Sequence, residues 1–402
     1  MAIRKRDRVI VAGGGPVGST VAYLLARQNI PVTVIEAEPG LVLDYRASTV
    51  HPPTLDLLEE SGAAQAMVER GLICPVWQYR DRNAGRIAEF DLSVLKNDTR
   101  YPYRLQCEQF KLVDWLYARL AAIPGVEMRF GHRLSELRAA ADGVEAVVTT
   151  QEGESKTIVG DILIGCDGGR STVRRGMDIA FEGYTYPEHF LVAGTVFDFK
   201  AAMPGICSVN YTADPVFWYL LLEIPDMWRI IMPVDPSVKD DEAVTAGHIQ
   251  GCLQNILPRE EPYEIVVRAI YTVHQRAAGA YRKGRVLLAG DAAHVNNPLG
   301  GMGLNGGLHD AVSLTRKLAA VWHGRADERL LDTYEAEHRP QAIEHINAMT
   351  ARNKKLMEER DPAVREAALD ELRAIGADPA RSYAYLLETS MIGPLRRSGL
   401  LA

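Results

Sequence analysis

The run Gly13-Gly14-Gly15-Pro16-Val17-Gly18 constrains this chain more than any other stretch. Gly13, Gly15 and Gly18 stand at the G-x-G-x-x-G spacing. Arg8 to Ala12 read as a buried strand, a helix runs from the glycines to about Gln28, Pro31 to Ile35 read as the next strand, and Glu36 ends it. Strand, glycine turn, helix, strand and acid, in that order, form the context a bound dinucleotide requires. The glycines permit the turn and the close approach of a pyrophosphate to the positive end of the helix. Glu36 is placed to accept hydrogen bonds from the hydroxyls of an adenosine ribose.

A second stretch lies late in the chain, from Arg285 to Asp310. Val286 to Ala289 read as a buried strand, ended by Gly290 and Asp291. A loop with Pro298, Gly300, Gly301 and Gly303 follows, and a helix is expected from near Asn305 to about Trp322. Glycines in such a loop let the backbone approach a flat ligand, and the helix start offers free N–H groups and a positive dipole end. That suits a planar cofactor that becomes anionic. Between the two stretches, Asp161 to Cys166 read as a strand ended by Asp167-Gly168, with Ser171 as the N-cap of a short helix carrying Arg174 and Arg175. A second aspartate at the carboxyl end of a strand is where an α/β sheet places ligand groups.

The rest of the chain supplies context. With 402 residues it is long enough for two or three domains, and its net charge of −7 disfavours a nucleic-acid surface. No apolar run reaches membrane-span length, and the first residues lack a signal peptide's pattern. The five cysteines are scattered, without metal-ligand spacing, and read as buried thiols of a cytoplasmic protein. No metal is expected.

Arg46 lies in a loop from which it can reach a cofactor. His51 precedes a helix opened by Pro52 and Pro53, where a capping or packing role is the plain reading. Gln106 precedes a helix from about Glu108 to Ala122. Strands are expected over 73–90, 126–150 and, at several places, 181–282. From Leu330 onward the chain reads as mostly helical, with breaks at Arg339-Pro340 and Asp361-Pro362.

Taken together, GGGPVG with Glu36, the CDGGRSTVR segment and GDAAHVNNPLGGMGLNGG resemble the FAD-dependent aromatic hydroxylases, group A flavoprotein monooxygenases of the para-hydroxybenzoate hydroxylase fold. The runs FEGYTYPEHFLV and VHQRAAGAYRKGRVLLAGDAAH resemble the hydroxyphenylpropionate and phenol hydroxylase branch. The implied fold is α/β (α+β). A discontinuous Rossmann-like FAD-binding domain covers 1–75, 100–180 and 283–345. A mainly antiparallel substrate-binding sheet covers 76–99 and 181–282, and a helical C-terminal region covers 346–402.

The resemblance implies roles. Asp291 would bond the ribityl chain of FAD, the loop around Gly301, Gly303, Leu304 and Asn305 would lie against the isoalloxazine, and Arg46, Gln106 and Asp167 would also touch cofactor. NADH or NADPH would reduce the flavin and O2 would form a C4a-hydroperoxide that attacks an aromatic ring. Ala37 and Glu38 after Glu36 leave negative charge where a 2′-phosphate would sit, which favours NADH. His51, Tyr219, His274 and Pro298 are the catalytic candidates. Tyr79, Ser208, Asn210, Tyr211 and Phe217 are the substrate candidates, while His294 of GDAAH reads as a backbone-positioning residue.

Hydroxybenzoate hydroxylases hold their substrate carboxylate with a serine and an arginine on one strand. The corresponding run here is Cys207-Ser208-Val209-Asn210-Tyr211, with an amide where the arginine would be. A neutral amide cannot replace a bidentate guanidinium, so simple 4-hydroxybenzoate is expected to be a poor substrate and a neutral phenol or hydroxylated N-heteroaromatic a better one. A one-residue slip would swap strand faces, so Arg104 or Arg229 could supply the charge instead. The competing function is an FAD-binding protein of this fold without net oxygenation. A Rossmann-type nicotinamide dehydrogenase would lack the GDAAH segment. Homodimerisation is left open.

Overall fold

The computed structural model describes residues 7–45 and 47–401. Arg46 lies outside the described residues. The fingerprint strand Val9–Ala12 sits inside a six-stranded sheet, between Ile162–Gly165 and Val32–Ile35. Val126–Arg129 extends the sheet on one side, and Val286–Leu288 with Arg282–Lys283 on the other. Five strands run parallel. All but the edge strand Val126–Arg129 are short, mainly apolar runs buried on both faces, as parallel strands are when helices cover them. The helices Pro16–Ala26 and Gly303–Trp322 pack against each other there, and a Cβ at Gly307 would stand 2.6 Å from Val17. The fingerprint, Asp167 and Asp291 thus sit at the carboxyl ends of three adjacent strands, where ligands bind such sheets.

A second sheet has eight strands, ordered His294–Val295, Ile265–Ala278, Phe181–Thr195, Met227–Val234, Tyr219–Ile224, Val209–Ala213, Val76–Asp81 and Gly85–Asp91. All neighbours are antiparallel except Val209–Ala213 with Val76–Asp81. Strand side chains alternate, and each face of this sheet carries a hydrophobic cluster. One face carries Trp77, Tyr79, Tyr211, Trp218 and Leu220 against Leu369, Leu372 and Leu386 of the C-terminal helices. The other carries Leu191, Tyr219, Leu221 and Ile230 under the helix Ala246–Ile256. The C-terminal helices therefore share their core with the sheet.

A three-stranded sheet ties the two parts together. Its central strand Arg104–Gln106 pairs with Thr49–Val50 and with Leu72–Cys74. One expectation is corrected. Pro340 does not break its helix: the chain stays helical from Asp332 to Met357, passing through a π-helical stretch, Gln341–Asn347. Proline removes one donor from the preceding turn, and the widened π-helical turns begin directly after it. The break at Asp361-Pro362 is present, and Asp361 accepts hydrogen bonds from the N–H groups of Ala363 and Val364. Among the described residues no helix is long and apolar enough to cross a membrane, and no side-chain cluster suits a metal ion.

Candidate functional site

The fingerprint turn is built by close packing. Gly13 has φ +98°, and a Cβ at Gly18 would lie 1.9 Å from the Gly13 carbonyl, so neither position admits another residue. Gly15 differs, since a Cβ there would meet nothing within 4 Å. The turn is tight underneath and open above, and the helix Pro16–Ala26 has no side-chain cap, leaving its first N–H groups to a ligand. These residues fit a pyrophosphate. One Glu36 oxygen accepts from the Gly14 N–H at 2.6 Å and the other from Glu38 N–H at 2.8 Å, so Glu36 also shapes the turn.

Asp167 is engaged from within. It accepts from the Ser171 hydroxyl at 2.5 Å and from the N–H groups of Thr172 and Val173. Burial raises its pKa, and those three bonds work against the rise. Asp291 is exposed at the end of its strand, in the short turn Gly290–Ala292.

The glycine loop is clasped by amides. Asn305 Oδ1 accepts from the His51 N–H at 2.8 Å and the Thr54 hydroxyl at 2.7 Å, while its Nδ2 donates to Thr49 O at 2.9 Å and Gly301 O at 2.5 Å. Its side chain is saturated, which leaves only backbone for a cofactor. Gln106 likewise accepts from the Ser48 hydroxyl and donates to that of Thr49. Gly301 has φ +66°, and a Cβ there would press on Thr49 at 2.8 Å. Pro298 offers its carbonyl to the Gly301 N–H at 2.9 Å. Gly303 and Leu304, both half-buried, open the helix.

His51 is fully buried and donates from Nε2 to the Gly300 carbonyl at 2.7 Å. Burial, helped by the nearby positive charge of Arg104, lowers its pKa to about 3. It is neutral at physiological pH, a poor base, and it positions the loop. Behind it, Asp310 accepts from Gly290 N–H, His294 and His338.

Against this loop lies a cavity of about 410 Å³, a volume that includes its solvent-open mouth. Gly300 and Met302 of the loop form one wall and Trp77, Tyr79 and Tyr211 of the large sheet another. Arg104 reaches in from its strand, and Asn353, Leu356, Met357, Tyr385 and Thr389 come from the C-terminal helices. Burial holds the Tyr79 hydroxyl well above its ordinary pKa and pushes that of Tyr385 to about 12, so both stay protonated. The mainly apolar, aromatic lining with a few polar anchors suits an aromatic ring.

Of the sequence candidates, Tyr79 and Tyr211 line this cavity. Tyr219 and Phe217 do not: they sit on the opposite face of the sheet, where Tyr219 packs with Leu221 and Trp228, and the Arg82 guanidinium covers the Phe217 ring at 5.5 Å. Strand alternation turns Trp218 toward the inner face instead. Asn210 faces away as well. It is buried and donates to the Cys207 carbonyl at 2.6 Å, closing its own loop. Ser208 accepts from Lys200 Nζ at 2.9 Å. His274 is outside the cavity, half-buried, bonded through Nδ1 to the Thr185 hydroxyl. Burial and the cations Arg276 and Arg170 lower its pKa. Arg229 is buried and donates to the Tyr45 carbonyl at 2.7 Å.

Sequence reasoning missed Trp77 and the C-terminal lining, and it reached Arg104 only as an alternative. A signal existed for Arg104: it stands two residues before Gln106 on one short strand and so shares its side. Tyr385 and Thr389 are an i, i+4 pair on one helix face.

Comparison with known proteins agrees with this geometry. Residues 6–348 match the family described as FAD binding domain. The chain is 34% identical over 397 residues to para-nitrophenol 4-monooxygenase of Pseudomonas sp. (strain WBC-3), covering 97% of both chains. It is 35% identical to 6-hydroxy-3-succinoylpyridine 3-monooxygenase HspB of Pseudomonas putida (strain DSM 28022 / S16), covering 87% of this chain and 88% of that one. The crystal structure of p-nitrophenol 4-monooxygenase PnpA from Pseudomonas putida DLL-E4 superimposes with a TM-score of 0.91 at 32% identity, over 96% of this chain and 99% of that one. With an open pyrophosphate turn, a clasped glycine loop and an aromatic cavity against it, the chain belongs to the FAD binding domain family and is a flavin-dependent aromatic monooxygenase.

Proposed function

We propose that the protein hydroxylates a small, single-ring phenol or hydroxylated N-heteroaromatic, using a reduced nicotinamide nucleotide and dioxygen. The observation that supports this most is the cavity against Gly300 and Met302, which is walled by the aromatic side chains Trp77, Tyr79, Tyr211 and Tyr385. The nitrophenol and hydroxypyridine named for the relatives are single rings.

Bound FAD supplies the redox chemistry, activating dioxygen once it has been reduced. The chain's own residues do the rest. Gly13, Gly15, Gly18 and Glu36 hold the dinucleotide end, and Asp291 is placed at the strand end facing its middle. Asn305 and His51 set the shape of the loop from Pro298 to Gly303, and the helix behind it offers N–H groups to developing negative charge. Leu356, Met357 and Met302 exclude water from the ring. Tyr79 and Tyr211 hold the ring at the sheet wall. His51, neutral and bonded to Gly300, takes no proton at physiological pH.

The test is turnover by the yellow, purified protein with a panel of phenols, phenolic acids and hydroxypyridines under labelled dioxygen. Substrate-dependent oxidation of NADH or NADPH, with one labelled oxygen in the product, is expected. A protein that takes up FAD but forms no oxygenated product from any member would leave the non-oxygenating alternative standing.

A further inference from the structure

Arg104 is nearly fully buried, yet among the described residues no carboxylate pairs with it. Among the described residues its one side-chain hydrogen bond runs from Nη1 to the Tyr211 hydroxyl, long at 3.4 Å. Its guanidinium carbon lies 4.6 Å from the Trp77 ring centroid and 5.8 Å from that of Tyr211. Its Nε has no partner. Other buried cations of this chain have a strong acceptor: Lys354 pairs with Glu188 and Glu358, Arg174 donates to the Ala292 and Gly169 carbonyls, and Arg229 donates to the Tyr45 carbonyl. A buried charge without a counter-ion is costly, and aromatic faces compensate for only a small part of it.

The neighbours of Arg104 share this condition. The Trp77 indole N–H and the Tyr79 hydroxyl, both buried and both lining the same cavity, also lack partners. Arginine and indole can only donate. His51, the nearest imidazole to feel the charge of Arg104, already spends its Nε2–H on Gly300. The wall is therefore positive and rich in donors, with no acidic side chain in the lining. The backbone that carries Arg104 is fixed, because its strand is paired on both sides.

We infer that Arg104, with Trp77 and Tyr79, forms the specificity site for a planar, negatively charged oxygen group on the substrate ring. The inference rests on the reading of this cavity as the substrate site. The group supplies the missing counter-ion and the missing acceptors together. Two sources share that chemistry, a ring carboxylate and the phenolate oxygen itself. In the second case the ring binds already ionised, its proton left to bulk water, and the cation stabilises the phenolate. The charge that the Ser208–Asn210 run lacks is supplied from a different strand.

Binding to the oxidised FAD-loaded protein tests this without turnover. The probes are 4-hydroxybenzoate, 4-hydroxybenzamide, 4-nitrophenol and phenol, titrated by calorimetry, with 4-nitrophenolate also read by its own absorption. Wild type is expected to bind 4-hydroxybenzoate or 4-nitrophenolate at least about 10-fold tighter than its neutral counterpart. Preference for 4-hydroxybenzoate over the amide identifies the carboxylate. Affinity for 4-nitrophenol that rises with its ionisation identifies the phenolate. Arg104→Gln should reduce either preference to within about threefold while FAD content stays the same. Trp77→Phe keeps the ring stack and should weaken the anionic probes alone. Equal binding of charged and neutral probes by wild type, or a preference that survives Arg104→Gln, overturns the inference. Selective binding without oxygenated product would instead overturn the proposed activity and leave the anion site intact.

Discussion

Asp310→Asn removes one charge from the interior and changes almost no volume. Asp310 is buried in the helix Gly303–Trp322 and spends both oxygens. Oδ2 accepts from the Gly290 N–H and His294 Nε2, each at 2.9 Å, and Oδ1 accepts from His338 Nδ1 at 2.7 Å. Burial opposes its charge, but the two imidazoles more than offset this and hold its carboxyl far below the ordinary range. For His294, burial again opposes the charge, and the Asp310 carboxylate prevails and raises its pKa. An asparagine keeps one carbonyl but turns an NH2 toward a ring N–H, donor against donor. Charge-assisted bonds contribute about 1.5–3 kcal/mol each, and breaking a buried pair costs about 3–5 kcal/mol. Asp310→Asn should therefore lower the unfolding free energy by about 3–5 kcal/mol, a large part of the roughly 5–15 kcal/mol of an ordinary protein.

The pH dependence has a definite sign. The raised pKa of His294 gives stability that is complete below its unfolded value, about 6.5, and lost as pH rises through the folded value. The depressed pKa of Asp310 gives stability present above about 3.9 and lost only in acid. Urea unfolding at about pH 6 and about pH 9 should show the gap between wild type and variant narrowing on the alkaline side, by at most about 1.4 kcal/mol per pH unit for one proton. A gap under about 1 kcal/mol, or one that widens with pH, would refute the reasoning.

Asp291→Ala deletes a carboxylate at the cofactor edge of its sheet. Equilibrium dialysis should show FAD affinity falling by about 1.5–3 kcal/mol, roughly 10- to 150-fold, with the fold unchanged by circular dichroism. Gly301→Ala places a Cβ 2.8 Å from that of Thr49 at φ +66°; lower FAD occupancy and a loss of about 1–2 kcal/mol in stability are expected, and a fully loaded variant of wild-type stability would count against the clasp. NADH should outperform NADPH in kcat/KM, since Glu36 and Glu38 surround the end of their strand with negative charge; an NADPH advantage in steady-state kinetics would reverse that assignment.

What the sequence made readable was local. The fingerprint strand, helix and second strand lie within residues 9–35, and the strand, glycine loop and helix of the second motif within 286–322, so propensity and glycine spacing suffice to place them. The cavity has no such signature. Its walls come from residues 77–79, 104, 211, 300–302 and 353–389, brought together by sheet order alone. Face assignment failed for the same reason. Tyr219 and Asn210 are aromatic and polar residues on the right sheet, but only the pairing register decides which face each takes. Asn305 and Gln106 were found as motif positions, and their side chains turn out to hold the loop from behind.

The π-helical stretch after Pro340 shows why the C-terminal region could not be read by pattern. An α-helix turns by roughly 100° per residue, so one residue accommodated in a widened turn rotates every later side chain by about that angle. The π-helical stretch Gln341–Asn347 directly follows the proline, and the helix Ala348–Met357 leaves it in the rotated setting. In that setting Asn353 donates to the Leu299 carbonyl at 3.1 Å, while Leu356 and Met357 face the ring cavity. A strictly α-helical continuation would turn the same face roughly a quarter of a circle away. The apolar wall behind the glycine loop would then be missing. Pro340, read from the sequence as a stop, instead stands directly before the stretch that aims this helix at the site.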